Sequence, residues 1–259
     1  FRLQSALELN WREEKSALPE LEKLARDNSN PNALDALFAL HMLGGLSDDL
    51  AVDLLKHSDP YVRRWVVRCI GDSGDASTLL VSCLKNLALT EQHPEVRTQL
   101  LCSAKRLPAE NSLPIVRLMM GRDEDMNDKR IPFLLWWAIE AKAASDRDAL
   151  LAMFEDAKVW DFKLAQKFAA QNLAKRWAMA GGKENLDACA KLLALAKRNE
   201  DRALVIEGIA SAFEGGKMPE LPPALASAMN DYMKSQMDGD LALAVKTGNK
   251  DAAKKAVGQ

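Results

Sequence analysis

Asp59-Pro60-Tyr61-Val62-Arg63-Arg64, followed by Trp65-Val66-Val67-Arg68-Cys69-Ile70, decides how this chain folds. A turn residue and a proline come first, and Pro is tolerated in the first helical turn, where its missing N–H has no intrahelical partner anyway. Val62, Trp65, Val66, Cys69 and Ile70 then fall on one stripe at helical spacing, with Trp65 expected at its centre. The same entry returns as His93-Pro94-Glu95-Val96-Arg97, with Val96, Leu100, Ser103, Ala104 and Leu107 on its stripe. Ile131, Leu134, Leu135, Ala138 and Ile139 make a third copy, and Leu164, Phe168, Ala169, Leu173 and Trp177 a looser fourth. Val205, Ile206, Ile209, Ala210 and Phe213 make a fifth. Measured from Tyr61, Glu95, Arg130, Lys163 and Arg202, the copies are 34, 35, 33 and 39 residues apart.

Between the copies lie apolar partners: Leu50 to Lys56, Ala76 to Leu89, Leu113 to Met120, Asp148 to Glu155 and Leu186 to Lys197. Capping residues predict their starts at Ser47, Asp75, Ser112 and Ser145, the last forming a capping box with Asp148. Gly71, Gly121 and Gly181-Gly182 predict stops. Upstream, Leu3 to Asn10 and Leu18 to Arg26 form another helix pair, followed by a helix from Ala33 to Leu43 that is apolar nearly all round.

A helix pair roughly every 35–45 residues cannot bury both of its apolar faces alone, so neighbours must stack. The Trp, Gly, Tyr and Ala markers of tetratricopeptide repeats are missing, and the Asp-Pro-x-Val-Arg entry resembles HEAT repeats. The expected fold is all-α: an α-solenoid, a right-handed superhelix of about six HEAT-like helix pairs. It spans residues 1–217, and residues 218–259 form a Pro-rich joint with a C-terminal helical segment, Ala224 to Met237, that continues or caps it.

Composition agrees with helices. The 259 residues are 48% hydrophobic and 28% charged but 6% aromatic, with β-branched runs scarce. Lys plus Arg is 35 and Asp plus Glu 37, so the net charge of −2 argues against a chain-wide footprint for nucleic acid. No stretch is long and apolar enough to span a bilayer. Starting at Phe1-Arg2-Leu3 and ending inside what reads as a new helix, the chain is expected to be a segment of something longer. The stripe of Met229, Met233 and Met237, with Leu241, Leu243 and Val245 after it, is apolar where a terminal repeat needs a polar cap; it predicts a face that meets a further neighbour.

One stretch resembles a more specific family. Ile131 to Lys142 (IPFLLWWAIEAK), Asp146 to Phe154, Val159-Trp160, Ala33 to His41 and Leu221 to Leu225 are similar to the helical-repeat region of the planctomycete and verrucomicrobial proteins described as PVC-type haem-binding, membrane-bound-dehydrogenase-like. In that family a dehydrogenase-like β-propeller precedes HEAT-like repeats, and a c-type cytochrome carrying C-x-x-C-H follows. The resemblance implies an extracytoplasmic, periplasmic redox protein in which this segment, residues 32 to 245, is the spacer. The family's haem motif and propeller have no counterpart in this sequence, so its chemistry does not carry over.

Candidate sites are few. Arg63, Arg97 and Arg130 recur at what read as equivalent points of successive copies. A ladder of guanidiniums can grip an acidic partner on an exposed face; alternatively each pairs with an Asp or carbonyl between repeats. Trp136 and Trp137 point about 100° apart on one helix, so one of them is expected at the surface as a contact anchor. These five residues make the candidate interaction face. Asp123-Glu124-Asp125-Met126-Asn127-Asp128 has the D-x-D-x-N start of a calcium loop. However, Asp128 and Leu134 stand where an EF-hand needs Gly and Glu, so it reads as a solvated loop.

His41, His57 and His93 lack metal-ligand spacing, and His93 occupies the capping position that Asp59 fills one copy earlier. Cys69, Cys83, Cys102 and Cys189 form no C-x-x-C and read as buried small hydrophobes, with Cys69 and Cys102 as the pairing to check. The expectation is therefore a non-catalytic scaffold or protein-interaction module. It has no catalytic residue, metal or cofactor, and its partners are other proteins or neighbouring domains of the same polypeptide. Alternatives are a peptide-binding adaptor and a HEAT-repeat enzyme. A metal-dependent hydroxylase would need His-Glu dipeptides, and Met42, Ser58 and Pro94 follow the histidines here. A DNA-glycosylase-like protein would need a basic groove, which the charge balance opposes.

Overall fold

A computed structural model describes residues 2–214 and 220–246 of the chain, with side chains from 4 to 234 except those of residues 5, 6 and 215–219. It is all-helical, and no strand occurs among the described residues. The helices, in order, are α1 (Arg2–Trp11), α2 (Leu18–Arg26), α3 (Ala33–Met42), α4 (Asp48–Leu54), α5 (Pro60–Asp72), α6 (Thr78–Thr90) and α7 (Pro94–Ala104). They continue with α8 (Ala109–Met120), α9 (Ile131–Glu140), α10 (Arg147–Glu155), α11 (Gln171–Ala180), α12 (Gly182–Leu195), α13 (Asn199–Ser211) and α14 (Pro223–Lys246). A π-helical stretch, Ala165–Ala170, leads into α11. No described helix is long and apolar enough to cross a membrane.

Contacts sort the helices into two rows. α1, α3, α5, α7, α9, the π-helical stretch with α11, and α13 each touch the next of that set; α2, α4, α6, α8, α10, α12 and α14 do the same. Chain neighbours such as α2–α3, α7–α8 and α11–α12 close the space between the rows. One continuous core runs through that space, from Ala25 and Leu37 through Leu100, Ile139 and Trp177 to Leu225. Val96, Leu100, Ser103, Ala104 and Leu107 are all buried, as their stripe predicts. Trp65 is not at the centre of its own stripe. It is half-buried, with an edge against Phe38 at 4.6 Å and the Arg68 guanidinium over its face, while Val66 and Val67 beside it are fully buried. Neighbours on both flanks widen the covered face beyond a single stripe.

Several helix ends follow local chemistry. Ser47 caps α4 by accepting from the Leu50 N–H, and Asp59 caps α5 by accepting from the Tyr61 N–H at 2.8 Å. Gly121 ends α8, and Gly181, at φ +63°, ends α11. Elsewhere the expected signals differ from the structure. Ser77, not Asp75, caps α6, because its hydroxyl reaches the Leu80 N–H. α8 begins at Ala109 rather than near Ser112, whose hydroxyl is buried in the helix without a hydrogen-bond partner. Ser145 donates to the Asp146 carboxylate, and that contact replaces the capping box.

Gly71 does not stop α5, which runs on to Asp72; it is a close-approach site against Ser103 of α7. The last helix extends past Met237 to Lys246. Met229 is half-buried against the core and Met233 is 56% exposed; the side chains of Met237, Leu241, Leu243 and Val245 lie outside the described residues.

Candidate functional site

Arg63 and Arg97 both sit four residues past an N-cap, and neither is free. The Arg63 Nε and Nη2 donate to both Glu91 carboxylate oxygens at 2.8 Å, and its Nη1 donates to the carbonyls of His57 (2.7 Å) and Ser58 (3.1 Å). Arg97 repeats this one copy later: Nε lies 2.9–3.0 Å from the two Asp125 oxygens, and Nη1 donates to the carbonyls of Gln92 and Glu91. The side chains of Glu91 and Asp125 are 3% and 1% exposed. Burial by itself would raise the Glu91 carboxyl. Hydrogen bonds from Arg63 and the His93 N–H outweigh that and hold it below the usual carboxylate range. A buried pair of this kind fixes geometry, since removing either partner strands a charge in the interior.

Arg122, which has no pattern in the sequence, completes the network. Its guanidinium donates to the carbonyls of Ala88 (2.9 Å), Leu89 (2.9 Å) and Glu91 (2.8 Å), at the open end of α6, and pairs with Glu124. A cation there satisfies the orphan carbonyls and complements the helix dipole. The acidic cluster is thus divided by role. Asp125 is buried against Arg97. Asp128, two residues ahead of the N-cap of α9, accepts from the N–H groups of Arg130 and Ile131. No group of His, Cys, Asp and Glu able to hold a metal occurs among the described residues.

Arg130 is not equivalent to Arg63 and Arg97. It occupies the N-cap of α9, four positions earlier in the helix frame, and Leu134 stands where an arginine would be. Its side chain is 62% exposed and pairs with Glu95 at 2.7 Å. The position four past the cap reaches back to the carbonyl six residues earlier in three helices, Arg63 to His57, Arg97 to Glu91 and Arg202 to Ala196, and Gln166 at the start of the π-helical stretch makes the same six-residue reach to Trp160. Arg202 is therefore the third true copy. The exposed ladder Arg63–Arg97–Arg130 does not form, because Arg97 is buried and Arg63 is largely covered in braces between helices.

Trp137 is 48% exposed, whereas Trp136 is half-buried against the core, so one of the pair faces outward. The Lys105 Nζ stands 5.7 Å from the Trp137 ring centroid. One turn earlier on α9, Phe133 is 57% exposed and meets Phe168 edge-on at 6.2 Å. The other indoles with buried N–H groups are structural: Trp160 donates to Phe154 O and Trp177 to Ala143 O. Lys142 is also buried, donating to Leu107 O at 2.6 Å, and burial lowers its pKa.

His93 is the N-cap residue of α7, but its ring makes no cap bond and instead stands edge-on to Tyr61. His57 is buried and accepts from the Asp59 N–H. All four cysteines are free, Cys69 and Cys102 included. Burial pushes the Cys69 and Cys189 thiols up to about 11 and about 12, which keeps them protonated and unreactive. The chain matches no protein-family model, no curated protein and no solved structure.

Proposed function

We propose that this chain is a non-catalytic α-solenoid, a right-handed superhelix of about six HEAT-like helix pairs over residues 1–217, that holds or links protein partners. The observation that carries the reading is the recurring backward reach of Arg63, Arg97, Gln166 and Arg202. Each fastens the end of one helix pair to the start of the next by the same bond, which is how a repeat array transmits one geometry along its length. The residues that read most like chemistry, Arg63, Arg97 and Asp125, serve as those fasteners. A scattering measurement tests the shape. A compact domain of 259 residues has a radius of gyration of about 18 Å; a stacked array gives a clearly larger value, and 18 Å overturns it.

By its resemblance to PVC-type haem-binding proteins, the chain serves as an extracytoplasmic spacer between a dehydrogenase-like propeller and a cytochrome domain. The partners are then neighbouring domains or other proteins rather than nucleic acid, and any redox chemistry belongs to those domains. The coding sequence on either side decides this. Propeller repeats upstream and C-x-x-C-H downstream are expected, and flanks carrying neither overturn the spacer role. Elemental analysis of the purified chain is expected to show no stoichiometric zinc, iron or haem; finding one would replace the scaffold reading with an enzymatic one.

A further inference from the structure

Five side chains lie in succession across three consecutive members of one helix row. The Lys105 Nζ lies over Trp137 at 5.7 Å; Trp137 shares a helix face with Phe133, four residues away; Phe133 meets Phe168 at 6.2 Å; and the Lys167 Nζ lies 5.4 Å from the Phe168 ring. Phe133 and Trp137 are each about half exposed, Lys105 and Lys167 are exposed, and neither lysine pairs with a carboxylate among the described residues. Glu140, three residues on from Trp137 along α9, is engaged with Arg176. At the Lys167 end the strip opens into a groove of about 750 Å³, which Lys163 and Arg198, both paired with aspartates, and the acids Glu200 and Asp201 also line.

We propose that Lys105–Trp137–Phe133–Phe168–Lys167 is a docking strip for an acidic segment of a partner protein that carries a large apolar side chain. This deepens the interaction-module reading and rests on it, but it does not depend on the spacer role. Exposed aromatics that lie partly open are the residues from which binding hot spots are made, and a Trp at the centre of a patch is the commonest kind. The occupant's charge follows from the two unpaired cations at the ends, which steer and fix an anionic chain. An extended segment of about six residues, at about 3.4 Å each, covers the path between them. Single-stranded nucleic acid also stacks on aromatic rings, but it needs a continuous basic track. Here Glu140 stands three residues after Trp137 on α9, Glu200 and Asp201 line the groove beside Lys167, and the chain carries a net charge of −2.

Selection from a displayed library of random octapeptides on the whole chain tests this. Enrichment of peptides with Asp or Glu on both sides of an aromatic or leucine is expected. Their binding should weaken by about tenfold or more in Trp137→Ala, and likewise in the separate double variant Lys105→Glu, Lys167→Glu, which changes only exposed groups. Unchanged circular dichroism of both variants makes the loss a loss of contact. Enrichment without acidic residues, binding that both variants retain, or tighter binding of a ten-nucleotide thymidine oligomer than of any selected peptide would overturn the proposal.

Discussion

The side-chain amide of Gln166 donates to the carbonyl oxygen of Trp160 at 2.7 Å, reaching back six residues as Arg63 does to His57 at the same distance. What recurs along this chain is therefore a backward reach of six residues from the first turns of a helix, made at four places. The side chain placed there closes carbonyls left open at the end of the preceding helix. Charge is optional. Where a carboxylate is also within reach, an arginine takes the position and gains a second bond, as with Glu91 and Asp125.

Arginines in and out of that position should therefore differ sharply. Arg63→Ala strands the Glu91 carboxylate, 3% exposed, without its cation, and should cost about 3–5 kcal/mol. Arg130→Ala removes a pair whose cation is 62% exposed, and should cost no more than about 1 kcal/mol. Chemical denaturation measures both, and equal losses would mean that the brace contributes nothing beyond a surface ion pair.

The same brace makes stability depend on acid. Glu91 and Asp128 are both held below the usual carboxylate range: burial opposes this, and hydrogen bonds from Arg63 and from backbone N–H groups outweigh it. A carboxyl whose pKa falls on folding stabilises the native state above its unfolded pKa and loses that contribution as pH falls through the folded value. Melting temperature should thus hold on descent to about pH 4.3 and drop below it. The drop should be shallower in Glu91→Gln, which starts lower but has less to lose. Parallel profiles for the two proteins would show that Glu91 does not titrate with unfolding.

Helix starts are legible in the sequence because their chemistry is local: Pro60 and Pro94 in first turns, and Asp59 and Ser47 with N–H groups two or three residues ahead. Buried stripes are legible in the same way. The braces are legible by half. Arg63 and Arg97 share a visible frame, but Arg122 finds its carbonyls 31 to 34 residues away, and since every residue has a carbonyl no pattern announces which one is used. The frame of Arg130 is hidden because spacing alone does not tell an N-cap from the fourth helical position. Trp65 reads as central because a helical stripe gives the direction of burial without its width, which neighbouring helices set. Lys105 and Lys167 become visible as one feature with Trp137 only when three separate helices lie side by side.

Tryptophans should rank by closure rather than by stripe. Trp177 is 1% exposed and its indole N–H bonds to Ala143 O at 2.8 Å, so Trp177→Ala should cost about 3–5 kcal/mol. Trp65→Ala, at a half-buried ring packed on Phe38, should cost about half as much. Thermal melts of the two variants decide the order, and a larger loss at Trp65 would restore it to the centre of its helix face.

The close approach of α13 to α11 at Gly208 offers a further test. A Cβ added at Gly208 of α13 would stand 2.2 Å from the Gln171 carbonyl oxygen and 3.0 Å from the Ala174 Cβ, both on α11. Alanine is a better helix former than glycine by about 1 kcal/mol, so without the crossing Gly208→Ala would stabilise the protein. With it, the obstacle is backbone, which cannot rotate aside, and α11 and α13 must separate. The net effect should be a loss of about 1–3 kcal/mol. Gly71→Ala provides the contrast, since its added Cβ meets the Ser103 Oγ and Cβ at 2.4 and 2.5 Å, which belong to a side chain. Ser103→Gly should therefore recover part of the Gly71→Ala loss even though it forfeits the Ser103 bond to Val67 O. Ala174→Gly should recover little at Gly208, where the carbonyl remains. A Gly208→Ala variant that melts above the parent would show that α11 and α13 do not approach this closely in solution.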